Sequence, residues 1–196
     1  MTLLEEPSER LLAAVRLLLQ EKGIAGPDEI AKRVRITDEA TPERGARLVA
    51  RAWLDPEFRT LLLRDGTAAV ESMGIPMRGL PPLGVLENTP ELHHLVVCTL
   101  CSCYPRAVLG YPPPWFKSAA YRARAVRDPR GTLAEWGAVL PKETRIRVVD
   151  STADYRWMVL PLRPPGTEGW DEARLAALVR EGDMIGVTVP TADAAP

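Results

Sequence analysis

Through the first third of the chain, apolar residues return about every three to four positions, the spacing of a helical face. Over residues 8–22, Leu11, Leu12, Val15, Leu18 and Leu19 form an apolar stripe, with Ser8 as the N-cap and Gly23 as the stop. A short second helix is predicted from Pro27 to Val34. Thr41-Pro42 supplies a cap followed by proline at the first helical position, opening a helix to about Trp53. Asp55-Pro56 restarts a helix through about Arg64, and Asp65-Gly66 begins another that ends near Gly74. After Gly74 the helical period gives way to short β-like runs at 85–88, 95–97, 145–150 and 156–161, the last two expected to pair. Two helical pieces are expected over 115–136, a helix from Asp171 to about Arg180, and a final strand over 184–189. The fold class read from this pattern is α+β. A helical N-terminal arm over residues 1–74 is followed by a compact α/β-layered domain over residues 75–196.

Composition narrows the picture only slightly. A chain of 196 residues with 46% hydrophobic content can bury a real core. Lys plus Arg is 25 and Asp plus Glu is 26, so the net charge of −1 gives no electrostatic reason for a nucleic-acid partner. No apolar run reaches the roughly 18 residues of a membrane span. The start, Met1-Thr2-Leu3-Leu4-Glu5-Glu6, is acidic where a signal peptide would be basic, so a cytoplasmic location is expected.

The candidate chemistry sits in six residues, Cys98-Thr99-Leu100-Cys101-Ser102-Cys103, which hold all three cysteines of the chain. One tight turn can aim three sulfurs at a point, and thiolates are soft ligands suited to a transition metal. A buried, inert cluster is one alternative. A zinc tetrahedron is another, with His93 or His94, the only two histidines, as fourth ligand. Cys98-x-x-Cys101 also has dithiol spacing, although Tyr104-Pro105 leaves little room for a helix there. In the fourth reading, the backbone nitrogens of Ser102 and Cys103 lose their protons and join the sulfurs around a trivalent ion. One octahedral position then stays open as a Lewis-acid site.

The segment Val96-Val97-Cys98-Thr99-Leu100-Cys101-Ser102-Cys103-Tyr104-Pro105 resembles the metal-binding segment of the nitrile hydratase α subunit family. Glu87-Asn88-Thr89, His93-His94, Trp115-Phe116-Lys117-Ser118, Arg163-Pro164 and Gly166-Thr167-Glu168-Gly169-Trp170 extend the likeness over nearly the whole chain. The resemblance implies hydration of a nitrile to an amide, with Cys98 an unmodified thiolate, Cys101 a sulfinic acid and Cys103 a sulfenic acid. Cys103, Cys101 and Ser102 would carry the catalysis, and the amides of Ser102 and Cys103 would complete the ligand set. Thr99, where iron-type members carry Ser, points to non-corrin cobalt(III), with iron(III) as the alternative. Tyr104, Arg106, Asp150 and Arg156 would stand around the ligands, the last two as a supporting pair. Partners implied are a β-type subunit that donates arginines to the oxidised sulfurs, a cobalt-loading activator protein and a small nitrile.

Two departures bear on substrate. Arg106-Ala107 stands where the family usually has Trp-Pro, which could widen the channel or place a cation in it. Gly79 stands where iron-type members place a functional Gln. Both suggest a bulkier or more polar nitrile, such as the nucleoside nitrile toyocamycin taken by one family branch. The γ subunit of thiocyanate hydrolase, similar in fold and cysteine motif, is the competing assignment. A non-catalytic metal carrier or a zinc-stabilised assembly module is the alternative from another class.

Overall fold

The computed structural model describes residues 7–101 and 103–192. The chain divides into two compact units, Met1–Glu39 and Ala40–Pro196. The first unit holds α1 (Pro7–Glu21) and α2 (Pro27–Asp38). Ser8 lies inside α1, because Pro7 takes the first helical position. Gly23 closes α1 at φ +63°, and Ile24 N returns to Leu19 O at 2.9 Å. The apolar stripe stays open to solvent, with Leu11 67%, Leu12 51%, Val15 44% and Leu18 49% exposed.

The second unit begins with α3 (Pro42–Leu54), α4 (Pro56–Arg64) and α5 (Gly66–Ser72). Asp55 caps α4 by accepting from Glu57 N and Phe58 N, and Asp65 caps α5 by accepting from Ala68 N. α3 buries Ala46, Leu48, Val49, Ala50 and Ala52 along one face. α4 and α5 lie against β1 (Leu83–Glu87), so the helices predicted over 41–74 pack with the strands.

Next come β2 (Leu92–Val97), α6 (Arg106–Leu109), α7 (Pro114–Lys117), α8 (Ala119–Arg127) and α9 (Pro129–Glu135). Three short helices therefore replace the two pieces expected over 115–136, because Ser118 and Asp128 each cap a new start. The chain ends with β3 (Arg145–Asp150), β4 (Arg156–Leu160), α10 (Glu172–Leu178) and α11 (Glu181–Ile185).

All described strand pairing is parallel. β1 pairs with β4 from Leu83↔Arg156 to Glu87↔Leu160, and β2 pairs with β3 from Leu92↔Arg145 to Val97↔Asp150. The expected pairing of 145–150 with 156–161 is not formed. Ser151 N still bonds Val97 O at 2.7 Å, and the turn closed by Thr152 N to Tyr155 O then carries the chain over to β1. Leu95, Val96, Val97, Met158, Val159 and Leu160 are buried in the core these strands share with the helices. Among the described residues, no helix is long and apolar enough to cross a membrane.

The strand expected over 184–189 is instead α11 and a turn. Asp183 accepts from Arg180 N at 2.8 Å and from Thr188 Oγ1 at 2.5 Å, which winds the segment on itself. Gly186 ends the helix at φ +83°, where an added Cβ would stand 2.0 Å from His94 O. Gly74 has a similar φ of +78° but open space around the same position. Gly74→Ala should therefore cost only the backbone term, about 1–2 kcal/mol. Gly186→Ala should cost at least about twice that, because backbone must also shift. Equal urea midpoints for the two variants would contradict this account.

Candidate metal centre

β2 ends at Val97, and the next residue, Cys98, begins the sulfur-bearing loop. Cys98 Sγ lies 3.5 Å from Cys101 Sγ, and Cys101 Sγ lies 3.1 Å from Cys103 Sγ. All three sulfurs fall within 4.8 Å of one another, close enough to hold one metal ion. Cys98 and Cys103 are buried while Cys101 is exposed. Ser102 lies outside the described residues.

The donor set fits a soft metal ion. Burial, followed by hydrogen bonding with Cys101 and Cys98, pushes the Cys103 thiol up to about 12, and the Arg156 charge opposes only part of this. Such a thiol ionises near neutrality only where strong positive charge is added, as a bound transition metal does.

The surrounding groups fix the loop at several points. Thr99 N donates to Asp150 Oδ1 at 3.0 Å, and Thr99 Oγ1 donates to Asp150 Oδ2. The Val97↔Asp150 register brings that carboxylate to the loop. Arg122 Nη1 reaches Cys101 O at 3.4 Å. Tyr121 OH donates to Val96 O at 2.7 Å, just before the first cysteine. Tyr104, buried behind Cys103, sets its ring edge-on to Phe116 at 4.9 Å and donates its hydroxyl to Glu181 Oε1 at 2.5 Å. Burial drives the Tyr104 phenol well above its ordinary range and raises the Glu181 carboxyl, which the Tyr104 bond partly restores.

Not every expected relation is present. Asp150 meets Thr99, and no ion pair between Asp150 and Arg156 is found among the described residues. Arg156 instead lies near Cys103, with Nη1 buried and without a hydrogen-bond partner. The histidines do not join the sulfurs. His93 Nδ1 faces Asn88 Nδ2 at 3.0 Å and its Nε2 donates to Gly186 O at 2.7 Å. His94 N donates to Asn88 Oδ1 at 2.8 Å. Glu181 and Tyr121 were not singled out from sequence; Glu181 lies 77 residues from Tyr104, beyond any local spacing signal.

A cavity of about 360 Å³ opens beside the sulfurs. Cys101 and Cys103 lie in its wall with Met77, Leu80 and Tyr104, and both Arg106 and Arg156 line it.

With this geometry in view, the comparisons with known proteins are direct. The family description nitrile hydratase, alpha chain, matches residues 6–188. The low-molecular weight cobalt-containing nitrile hydratase subunit alpha of Rhodococcus rhodochrous is 50% identical over 179 residues, 91% of this chain and 86% of that one. Thiocyanate hydrolase subunit gamma of Thiobacillus thioparus is 45% identical over 193 residues, 93% of this chain and 79% of that one. A solved thiocyanate hydrolase with partially modified cobalt centres superposes with a TM-score of 0.86 at 44% identity, covering 94% of this chain and 90% of that one. This chain belongs to the nitrile hydratase alpha-chain family, a family of enzyme subunits.

Burial lowers His93 and His94 below the ordinary value of 6.5, against partial support of His93 by the Gly186 bond. A histidine depressed in the folded state binds its proton more readily in the unfolded chain. Stability is therefore unaffected above about pH 6.5 and falls as pH drops through the folded value. His93→Gln should flatten that acid-side loss, measured as denaturation midpoint against pH. An unchanged slope would place the loss elsewhere.

Proposed function

We propose that this chain is the metal-bearing alpha-type subunit of a cobalt nitrile hydratase, which adds water to a nitrile to give the amide. The convergence of three sulfurs beside a substrate-sized cavity carries this reading. Cys98, Cys101 and Cys103 would hold non-corrin cobalt(III) with the main-chain nitrogens of Ser102 and Cys103, Cys101 as sulfinic and Cys103 as sulfenic acid. Bound there, the metal supplies Lewis acidity.

The remaining work falls to the chain itself. Asp150 holds both donors of Thr99 and so fixes the turn between the first two sulfurs. Glu181 holds Tyr104, which backs the third. Arg156 brings positive charge to Cys103. The exposed stripe of α1 is a surface for a β-type partner subunit, and a cobalt-loading activator protein is expected to deliver the metal. A reducing cytoplasm suits the free cysteines before loading.

Metal quantification with peptide mass spectrometry of the mature holoprotein tests the site. The expected result is cobalt in stoichiometric amount and three added oxygens on the tryptic peptide ending at Arg106. Stoichiometric zinc on unoxidised cysteines would favour the assembly-module reading and overturn this one. Asp150→Ala should lower metal retention by about tenfold or more, as loss of a ligand-orienting group generally does, with Asp150→Asn milder. Unchanged cobalt content would remove Asp150 from this role.

The specific observation favouring a second reading is the match to thiocyanate hydrolase subunit gamma over 93% of this chain. Assembled holoenzyme given a nitrile panel and thiocyanate separates the two: amide formation supports the first, thiocyanate consumption the second.

A further inference from the structure

The cavity beside the sulfurs is lined by two arginines, Arg106 and Arg156, and by no carboxylate. They arrive from different elements. Arg156 opens β4 opposite Leu83 of β1, and Arg106 is the first residue of α6. Neither makes an ion pair among the described residues. Arg156 is committed to Cys103, whose thiolate its charge favours. Arg106 has no such commitment. Its guanidinium stacks over the Tyr111 ring at 5.3 Å, a contact that steadies the group without using its N–H donors on an anion. The neighbouring wall is apolar, with Met77, Leu80, Leu83 and Val108. A cation on such a wall concentrates anions more strongly than one on an open polar surface.

We infer that Arg106 is a specificity-determining residue and that the cavity prefers an anionic cyano compound over a neutral one. The ligand chemistry is a C≡N group with a negative charge within the same small molecule. A carboxylate-bearing nitrile or the thiocyanate ion would both satisfy it. The carboxylate would meet the planar guanidinium through two N–H donors, whereas thiocyanate would be held mainly by charge. This inference rests on the functional reading above, because the anion is placed by the cavity that the sulfurs share.

The test uses the assembled holoenzyme with its partner subunit. Cyanoacetate and cyanoacetamide are nearly isosteric and differ in charge. The wild type should show a lower KM for cyanoacetate, and that KM should climb with ionic strength while the cyanoacetamide value stays level. Arg106→Gln should raise the cyanoacetate KM by about tenfold or more with kcat little changed, the loss expected of one charge-assisted contact. It should leave cyanoacetamide within about twofold, while Arg106→Lys keeps part of the preference. Thiocyanate, added as a competitor of cyanoacetamide, should inhibit the wild type more strongly than Arg106→Gln.

Equal KM values for the two nitriles at low salt in the wild type would overturn the inference and leave nitrile hydration standing. So would an unchanged ratio in Arg106→Gln. Holoenzyme that hydrates neither nitrile yet consumes thiocyanate in an Arg106-dependent way would uphold the anionic class and overturn nitrile hydration. The salt dependence is read on wild type alone, so a variant that fails to assemble does not shield the inference.

Discussion

The parallel register of β2 with β3 is the constraint on which the candidate metal centre depends. Val97 pairs with Asp150, so the two strands finish together at one end of their ladder. Cys98 follows Val97 directly, and the Asp150 carboxylate is thereby delivered to both donors of Thr99. A slip of one residue would turn every side chain of β3 to the opposite face and withdraw that carboxylate. The site lies where open parallel strands commonly carry ligands, past their carboxyl ends. The second ladder contributes from its other end, where Leu83↔Arg156 sets Arg156 beside the same cavity.

A short helix ties the two flanks of the sulfur loop together. α11 takes the Tyr104 hydroxyl at its first residue, Glu181, and receives the His93 ring just past its last, at Gly186. One flank precedes Cys98 and the other follows Cys103. Asn88 completes the arrangement by contacting His93 and His94 from β1's end, which leaves both rings occupied in the interior. Their burial in a neutral network explains why they stand apart from the sulfurs.

Much of this was legible in the residues. Proline and aspartate at helix starts marked α3, α4 and α5, because these caps act locally. The cysteine spacing marked the loop, since three sulfurs within six residues can converge without help from distant chain. The strand partners were not legible. The two runs at 145–150 and 156–160 sit close in sequence and invite a hairpin, yet each bonds a strand far upstream. Nor was the end of the chain: Met184-Ile185-Gly186-Val187 is apolar enough for a strand, and only the Asp183 bonds to Arg180 and Thr188 turn it into a helix. The resemblance supplied Asp150 and Arg156 as a pair, whereas the fold sends one to Thr99 and the other toward Cys103.

The four residues of α6 separate two duties. Val108 and Leu109 are fully sequestered and hold the turn against the core, while Arg106 projects from its first position onto the cavity. Exchange at position 106 consequently alters what the enzyme admits without disturbing what keeps it folded. Lineages carrying this scaffold can diversify in diet through that residue with little penalty to robustness, and laboratory evolution can begin there.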